Sequence, residues 1–265
     1  MMQIAVLQMQ ATAGNVHTNL ERIDSAAQEA ARGGASLLVT PELSLTGYGA
    51  GEALRRLAEP VDREQIRRLQ VIARSAGIAI VAGFAESDRQ DIYNSVVFVE
   101  GERTPVVYRK SHLYGDYERA LFVSAPPSSS IVEYQGLRLG ILICYDVEFP
   151  ENVRRLALAG CDVILVPTAV PQGASGLFIT EHMIRVRAFE NQIFIAYANH
   201  AGADEMFSFA GRSQIAAPDG SLIAQCDDNA ERLLFAEIDP DRFADSIRDN
   251  PYLEDLCRQG LSKKS

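Results

Sequence analysis

Short apolar strands alternate with amphipathic helices through the first 82 residues, and this alternation constrains the fold more than any other feature of the chain. Residues 3–8, 36–40 and 78–82 are apolar-rich runs of strand length. Between them, residues 18–33 and 62–75 carry apolar side chains at helical spacing. A βαβα beginning of this kind predicts an α/β class.

Hairpins join this pattern further along the chain. Residues 94–99 and 104–109 flank a Glu-Gly-Glu-Arg turn, and residues 131–134 and 137–143 flank a Gln-Gly turn. Strands and helices then continue without the break in composition that marks a linker. The length of 265 residues allows one large domain or two small ones. We expect one domain over residues 1–265, with mixed sheets covered by helices and a tail from about residue 246.

Composition and charge disfavour several classes of function. A chain with 47% hydrophobic and 23% charged residues has the balance of a globular protein, not of a disordered one. A net charge of −10 repels phosphate backbones and anionic lipid, so we expect neither a nucleic-acid nor a membrane partner. The first ten residues lack the basic segment of a signal peptide, and no 18-residue apolar run follows. We therefore expect a cytoplasmic protein.

One of the four cysteines stands in a reactive setting. Four in a chain of this length are too sparse for a disulfide framework, so reduced thiols are expected. Cys144 directly follows the apolar run 139–143 and precedes a helix that begins near Pro150. A thiol at such a strand-to-helix elbow is expected to be exposed, and a neighbouring cation lowers its pKa. The remaining cysteines are interpreted as structural or incidental: Cys161, Cys226 and Cys257.

Two more residues of complementary chemistry follow strands. Glu42 comes just after residues 36–40, and Lys110 comes directly after residues 104–109. Ligand sites of open α/β sheets lie past the carboxyl ends of strands. A carboxylate, an ammonium and the Cys144 thiol at strand ends therefore predict a single site.

These residues lie in motifs that resemble the nitrilase superfamily of carbon–nitrogen hydrolases. Residues 41–43 (PEL) followed by 46–48 (TGY) resemble its base motif, and residues 108–113 (YRKSHL) resemble its lysine motif. Residues 140–146 (GILICYD) with Phe149-Pro150 resemble its nucleophile motif. Residues 187–191, with 211–213 and Pro218-Asp219-Gly220 further on, also match. The resemblance implies a four-layer αββα sandwich of the α/β class and a Glu42–Lys110–Cys144 triad. It also implies a homodimer or larger homo-oligomer in which sheets stack across subunits.

The resemblance extends to an activity. It implies that Cys144 attacks an amide carbonyl, Glu42 acts as base and then acid, and Lys110 stabilises the oxyanion. Glu118 matches a second glutamate that the family often uses, and it would orient the partners of Glu42 or the substrate. The partner is a small-molecule amide, and the reaction requires no metal or organic cofactor. Candidate substrate-binding residues are Tyr48, Tyr114, Tyr145, Thr168 and Ala169.

Other readings of the sequence are weaker. Cys144-Tyr145-Asp146 resembles the amidase-type branches, with a nitrilase or an N-carbamoyl-amide hydrolase of the same fold as the alternative. The glycines of residues 47–51 lack the spacing of a dinucleotide loop, because Glu52 stands where the third glycine is needed. Ser175 is outside a serine-hydrolase motif, and the four histidines lack metal-ligand spacing. A non-catalytic binding protein of this fold would most naturally lack one triad residue.

Overall fold

The computed structural model describes residues 1–260, which form twelve strands and nine α-helices. The strands are β1 (Met2–Gln8), β2 (Leu37–Val39), β3 (Ala79–Asp88), β4 (Asp91–Val99), β5 (Val106–Arg109), β6 (Ile131–Tyr134), β7 (Leu137–Ile141), β8 (Val163–Pro167), β9 (Phe194–Ala198), β10 (Gln214–Ala216), β11 (Leu222–Gln225) and β12 (Arg232–Ile238). The helices are α1 (Val16–Arg32), α2 (Ala53–Leu57), α3 (Glu64–Ala76), α4 (Gly115–Leu121), α5 (Pro150–Leu158), α6 (Ala174–Phe178), α7 (Ile184–Asn191), α8 (Ala244–Asp249) and α9 (Tyr252–Arg258). A π-helical turn, Ile179–Met183, joins α6 to α7.

Two six-stranded sheets share one plan. Their strand orders are β12-β1-β2-β3-β4-β5 and β11-β10-β9-β8-β7-β6. In each sheet three central strands are parallel, β1-β2-β3 and β7-β8-β9, and the outer strands are antiparallel. The parallel strands come from the predicted βα alternation, and the predicted hairpins are β4-β5 and β6-β7.

The alternation of side chains along β1 shows how the layers are separated. Ile4 and Val6 pack in a core that contains residues of both sheets. Ala5 and Leu7 point the other way, into a second core with the buried faces of α1 and α3. On the far side, α5 and α7 bury Leu156 and other apolar side chains against the second sheet. The result is the four-layer αββα sandwich that the resemblance implies, which confirms the predicted fold class.

The positions of the strand ends decide where a site can form. β5 is separated from β3 by two antiparallel pairings, so its carboxyl end points to the same edge of the sheet as the end of β2. Glu42 and Lys110 follow these two ends. Cys144 follows β7, a central strand of the facing sheet. The sandwich therefore brings all three segments to one end of the molecule.

Some details differ from the expectations. β3 and β4 form a hairpin that the sequence analysis did not predict, with Arg89 in its turn at a φ of +57°. Helix α4 has no counterpart in the sequence analysis, and the expected tail from about residue 246 begins within α8 and contains α9. Within residues 1–260, no helix combines the length and apolar character needed to cross a membrane.

Candidate active site

Lys110 lies buried between two buried carboxylates. Its Nζ donates to Oε1 of Glu42 and to Oε1 of Glu118, with both distances at 2.6 Å. Burial alone would lower the pKa of Lys110, but the charges of Glu118 and Glu42 outweigh it and hold this pKa well above its ordinary value. The ammonium therefore stays charged, with one of its three protons uncommitted.

Glu42 is held from both its side chain and its backbone. Asn94 Nδ2 donates to Oε1 at 2.6 Å, and the ring Nε2–H of His200 donates to the backbone carbonyl at 2.6 Å. Burial lowers the pKa of His200 to about 4, so this ring is neutral. The backbone of Gly83 lies against the same turn, because a Cβ there would fall 2.2 Å from the Leu43 nitrogen. These contacts fix the carboxyl group without using its second oxygen.

The other oxygen of Glu42 is available for proton transfer. Oε2 is buried and has no hydrogen-bond partner among residues 1–260. Burial raises the pKa of Glu42 to about 7; Lys110 opposes this rise and Glu118 adds to it. A carboxyl group with such a pKa can both accept and return a proton near neutrality.

Glu118 is fixed by the segment that carries it. Tyr114 N–H donates to Oε2 at 2.9 Å, just before α4 begins at Gly115. The Tyr48 hydroxyl donates to Oε1 at 2.9 Å. The ring of Tyr48 packs edge-on against Phe207 and Phe209. Glu118 is thus a buried member of the site.

Cys144 occupies a strained elbow at the end of the segment that follows β7. It begins a 3₁₀ turn, Cys144–Glu148, with φ of +44°, a value that non-glycine residues seldom adopt and that costs on the order of 1–3 kcal/mol. The side chain of Cys144 is close enough to the Thr168 hydroxyl and the Ala169 amide for both to favour its thiolate. The charges of Glu42 and Lys110 also act on this thiol, which places the three groups in one site.

The expectation of an exposed, acidic thiol is wrong. Cys144 is only 7% exposed, and burial and the charge of Glu42 raise its pKa well above the ordinary value. Lys110 lowers this pKa, but its ammonium is shared between two carboxylates. The resting group is therefore a thiol, which needs a base to become a nucleophile.

Asp146 ties the nucleophile turn to the lysine segment. Its buried carboxylate accepts hydrogen bonds from the Tyr108 hydroxyl at 2.9 Å, the Ser111 hydroxyl at 2.7 Å and the His112 N–H at 2.8 Å. The sequence analysis placed Asp146 in the nucleophile motif but assigned it no task. Its position two residues after Cys144, opposite a segment rich in hydrogen-bond donors, is the signal that was missed.

The predicted substrate-binding residues are placed differently from one another. Tyr48 is buried, and its hydroxyl is already committed to Glu118. Thr168 Oγ1 donates to the Tyr197 hydroxyl at 3.1 Å, and Thr168 and Ala169 line the sulfur side. Tyr114 is 45% exposed and packs edge-on against Tyr145, with ring centroids 5.2 Å apart.

Glu148 is a site residue that the sequence analysis missed. It ends the turn that Cys144 begins and is half-buried. Burial raises the pKa of Glu148 to about 7, while Lys110 and Arg187 oppose the rise. Only its distance of four residues from Cys144 distinguishes it in the sequence from an ordinary surface acid.

Comparison with known proteins decides the family. The sequence model of the family described as carbon-nitrogen hydrolase matches residues 3–248. The chain belongs to the carbon–nitrogen hydrolase family. Within residues 1–260 of this hydrolase, no group of three or more His, Cys, Asp or Glu side chains is arranged to hold a metal ion.

Curated relatives of this carbon–nitrogen hydrolase include amidases. It is 43% identical over 259 residues to a Pseudomonas protegens protein named as a hydrolase in the pqqF 5' region, covering 96% of this chain and 88% of that protein. It is 35% identical to an (R)-stereoselective amidase of a Pseudomonas species, covering 96% of this chain and 91% of the relative.

Solved structures agree. A double mutant of the amidase from Nesterenkonia sp. AN1, in complex with acrylamide, superimposes with a TM-score of 0.86 at 31% identity, covering 96% of this chain and 93% of that one. The protein is an amidase-type hydrolase of the nitrilase superfamily, which confirms the resemblance stated from its motifs.

Proposed function

We propose that this hydrolase converts a small carboxamide to the carboxylic acid and ammonia through a thioester on Cys144. The observation that carries the proposal is the buried carboxyl of Glu42, with a free Oε2 and a pKa near 7, in charge contact with a buried thiol. A thiol without its own acidity needs such a base. A structure of a glutamate-to-glutamine mutant of the Nesterenkonia amidase supports the nucleophilic role of the cysteine, since it shows the acetamide moiety of fluoroacetamide added at the active-site cysteine.

Attack on the amide forms the first intermediate. Glu42 takes the proton of Cys144 as the sulfur bonds to the carbonyl carbon, and the C=O electron pair moves onto oxygen. The remaining Lys110 proton and the N–H of Tyr145, the residue after the nucleophile, stabilise this oxyanion. One preorganised donor of this kind is worth about 3 kcal/mol of barrier.

Three proton transfers complete the turnover. Glu42 returns its proton to the amide nitrogen, the C–N bond breaks, and ammonia leaves a thioester on Cys144. Glu42 then removes a proton from water, which attacks the thioester, and the thiol regains that proton as the acid departs. Each turnover consumes one water and restores all three groups.

Glu118 holds the lysine and the substrate side of the site in place. Its Oε1 receives both Lys110 and the Tyr48 hydroxyl, so it fixes the direction of the ammonium. Tyr48, Tyr114 and Tyr145 are proposed to line the pocket. Thr168 and Ala169 are proposed to form the wall on the acyl side.

An amide–nitrile pair discriminates the branches. Relatives at 31% and 29% identity carry the names nitrilase, in Pyrococcus abyssi, and N-carbamoylputrescine amidase, in Arabidopsis thaliana. We expect acid to form from butyramide faster than from butyronitrile, by on the order of a hundredfold or more. The site stabilises the oxyanion that attack on an amide produces, whereas attack on a nitrile produces a nitrogen anion that must be protonated. Acid measured by chromatography at comparable rates from both would reverse the assignment.

The acid limb of the pH profile is expected near pH 7. Below the raised pKa of Glu42 the carboxyl is protonated and cannot accept the thiol proton, so kcat/KM falls about tenfold per pH unit on the acid side. Above that pKa the base is ionised and the rate levels off. Glu148 titrates in the same range, so the profile is also measured in Glu148→Gln. The limb should persist there; its disappearance would assign it to Glu148.

Three further expectations stay predictions. They are the homo-oligomer, the cytoplasmic location and the single-domain organisation. Light scattering during size-exclusion chromatography measures the first of these directly.

A further inference from the structure

Glu148 shares one short turn with the nucleophile. Cys144 begins this 3₁₀ turn and Glu148 ends it. Arg187 fixes the end of the turn by donating from Nη2 to the Glu148 carbonyl at 2.7 Å and from Nε to the Val147 carbonyl at 3.1 Å. Its Nη1 binds Glu190 at 2.9 Å. The guanidinium is therefore committed to these three groups rather than to the Glu148 carboxylate.

The Glu148 carboxylate has no donor of its own. Among residues 1–260, no hydrogen bond reaches either of its oxygens, although the side chain is half-buried. The oxygens are not fully buried, so water is their donor, and a substrate donor can replace that water. The Glu148 pKa of about 7 reflects partial burial, which outweighs the opposing charges of Lys110 and Arg187.

The carboxylate lies near the reactive groups. It interacts by charge with Lys110, which lies between Glu42 and Glu118. The Tyr197 hydroxyl accepts a hydrogen bond from Thr168. The charges of both Cys144 and Glu148 act on this hydroxyl. In the proposed mechanism Lys110 and Glu42 act on the scissile group, which leaves Glu148 as a neighbouring carboxylate without a part in the bond-breaking steps.

We propose that Glu148 is a specificity residue that accepts a hydrogen bond from a donor on the acyl chain and so favours small amides with an amino group there. The proposal rests on the proposed amidase function. An ammonium on the acyl chain supplies a donor that can replace the water on this carboxylate. A carboxylate on the acyl chain meets the negative charges of Glu148, Glu42 and Glu118. Of the two nearby cations, Lys110 is paired with Glu42 and Glu118, and Arg187 is paired with Glu190.

Three amides of matched length test the proposal. They are 4-aminobutanamide, its isostere pentanamide, and glutaramate, and the measured quantity is kcat/KM from ammonia release. The wild-type enzyme should prefer 4-aminobutanamide over pentanamide and disfavour glutaramate. In Glu148→Gln, which keeps the shape of the side chain, the preference for 4-aminobutanamide over pentanamide should fall about tenfold, mostly through KM.

A matched variant controls for charge. Glu151 is exposed on the first turn of α5, so Glu151→Gln removes the same charge without touching the site and should keep the wild-type ratio. If Glu148→Gln leaves the ratio of kcat/KM for 4-aminobutanamide to kcat/KM for pentanamide unchanged, the proposal is overturned while the amidase function stays intact. A wild-type enzyme that prefers glutaramate also overturns it. Failure of the wild-type enzyme to cleave any amide overturns the proposed function together with this inference.

Discussion

Replacing Cys144 with alanine is expected to remove ammonia release from amides, with a loss of about ten-thousand-fold or more. Alanine supplies no nucleophile, and neither Glu42 nor Lys110 can replace the sulfur. The change deletes one buried atom, so the fold should persist and thermal unfolding should stay cooperative. Ammonia release by a coupled assay and unfolding by circular dichroism measure the two effects.

Cys226→Ala is the matched control. Cys226 is a buried cysteine just after β11, outside the site, and its loss removes the same atom from the protein. This variant should retain the parental rate. Parental activity in Cys144→Ala, with the protein folded, would show that the thiol does not attack the substrate.

Glu42→Gln is expected to lower kcat by about a hundredfold to ten-thousandfold, the range attributed to positioned acid–base groups. Glutamine keeps the size of the side chain but cannot take the proton of Cys144. It also removes one of the two carboxylates that bind Lys110, so the lysine remains paired with Glu118 alone. Ammonia release under saturating amide measures the effect on kcat.

The control for Glu42 is Glu133→Gln. Glu133 is exposed on β6 and carries the same charge away from the site. It should leave kcat near the parental value. If Glu42→Gln matched Glu133→Gln in rate, another group would have to act as the base.

The strands and their ends were predictable because they depend on local patterns. Apolar runs predicted β1, β2, β3 and β7, and the residues just after predicted strands included Glu42, Lys110 and Cys144. Because the carboxyl ends of parallel strands meet at one edge of a sheet, these residues could be placed at that edge without knowing which side chains touch. α4 escaped prediction because seven residues with a short acidic first turn carry little periodicity.

The electrostatic state of the site was not predictable from the same patterns. Lys110 and Glu42 are 68 positions apart, and the sharing of Lys110 with Glu118 is a product of the folded sandwich. Burial, together with the charge of Glu42, gives Cys144 a raised rather than a lowered pKa, against the opposing charge of Lys110. Glu148 was missed for a similar reason, since its lack of a donor depends on how Arg187 is engaged.

The mass of the Cys144 peptide during turnover tests the central claim most directly. Trypsin releases residues 139–154, between Arg138 and Arg154, with Cys144 as the only cysteine. Enzyme mixed with butyramide is quenched in acid at successive times and digested, and the masses of its peptides are measured by mass spectrometry. The account predicts that this peptide gains one butyryl group in place of a hydrogen and that hydroxylamine removes it. An unmodified peptide at every time while butyrate accumulates, or an acyl group on another peptide, would contradict the account.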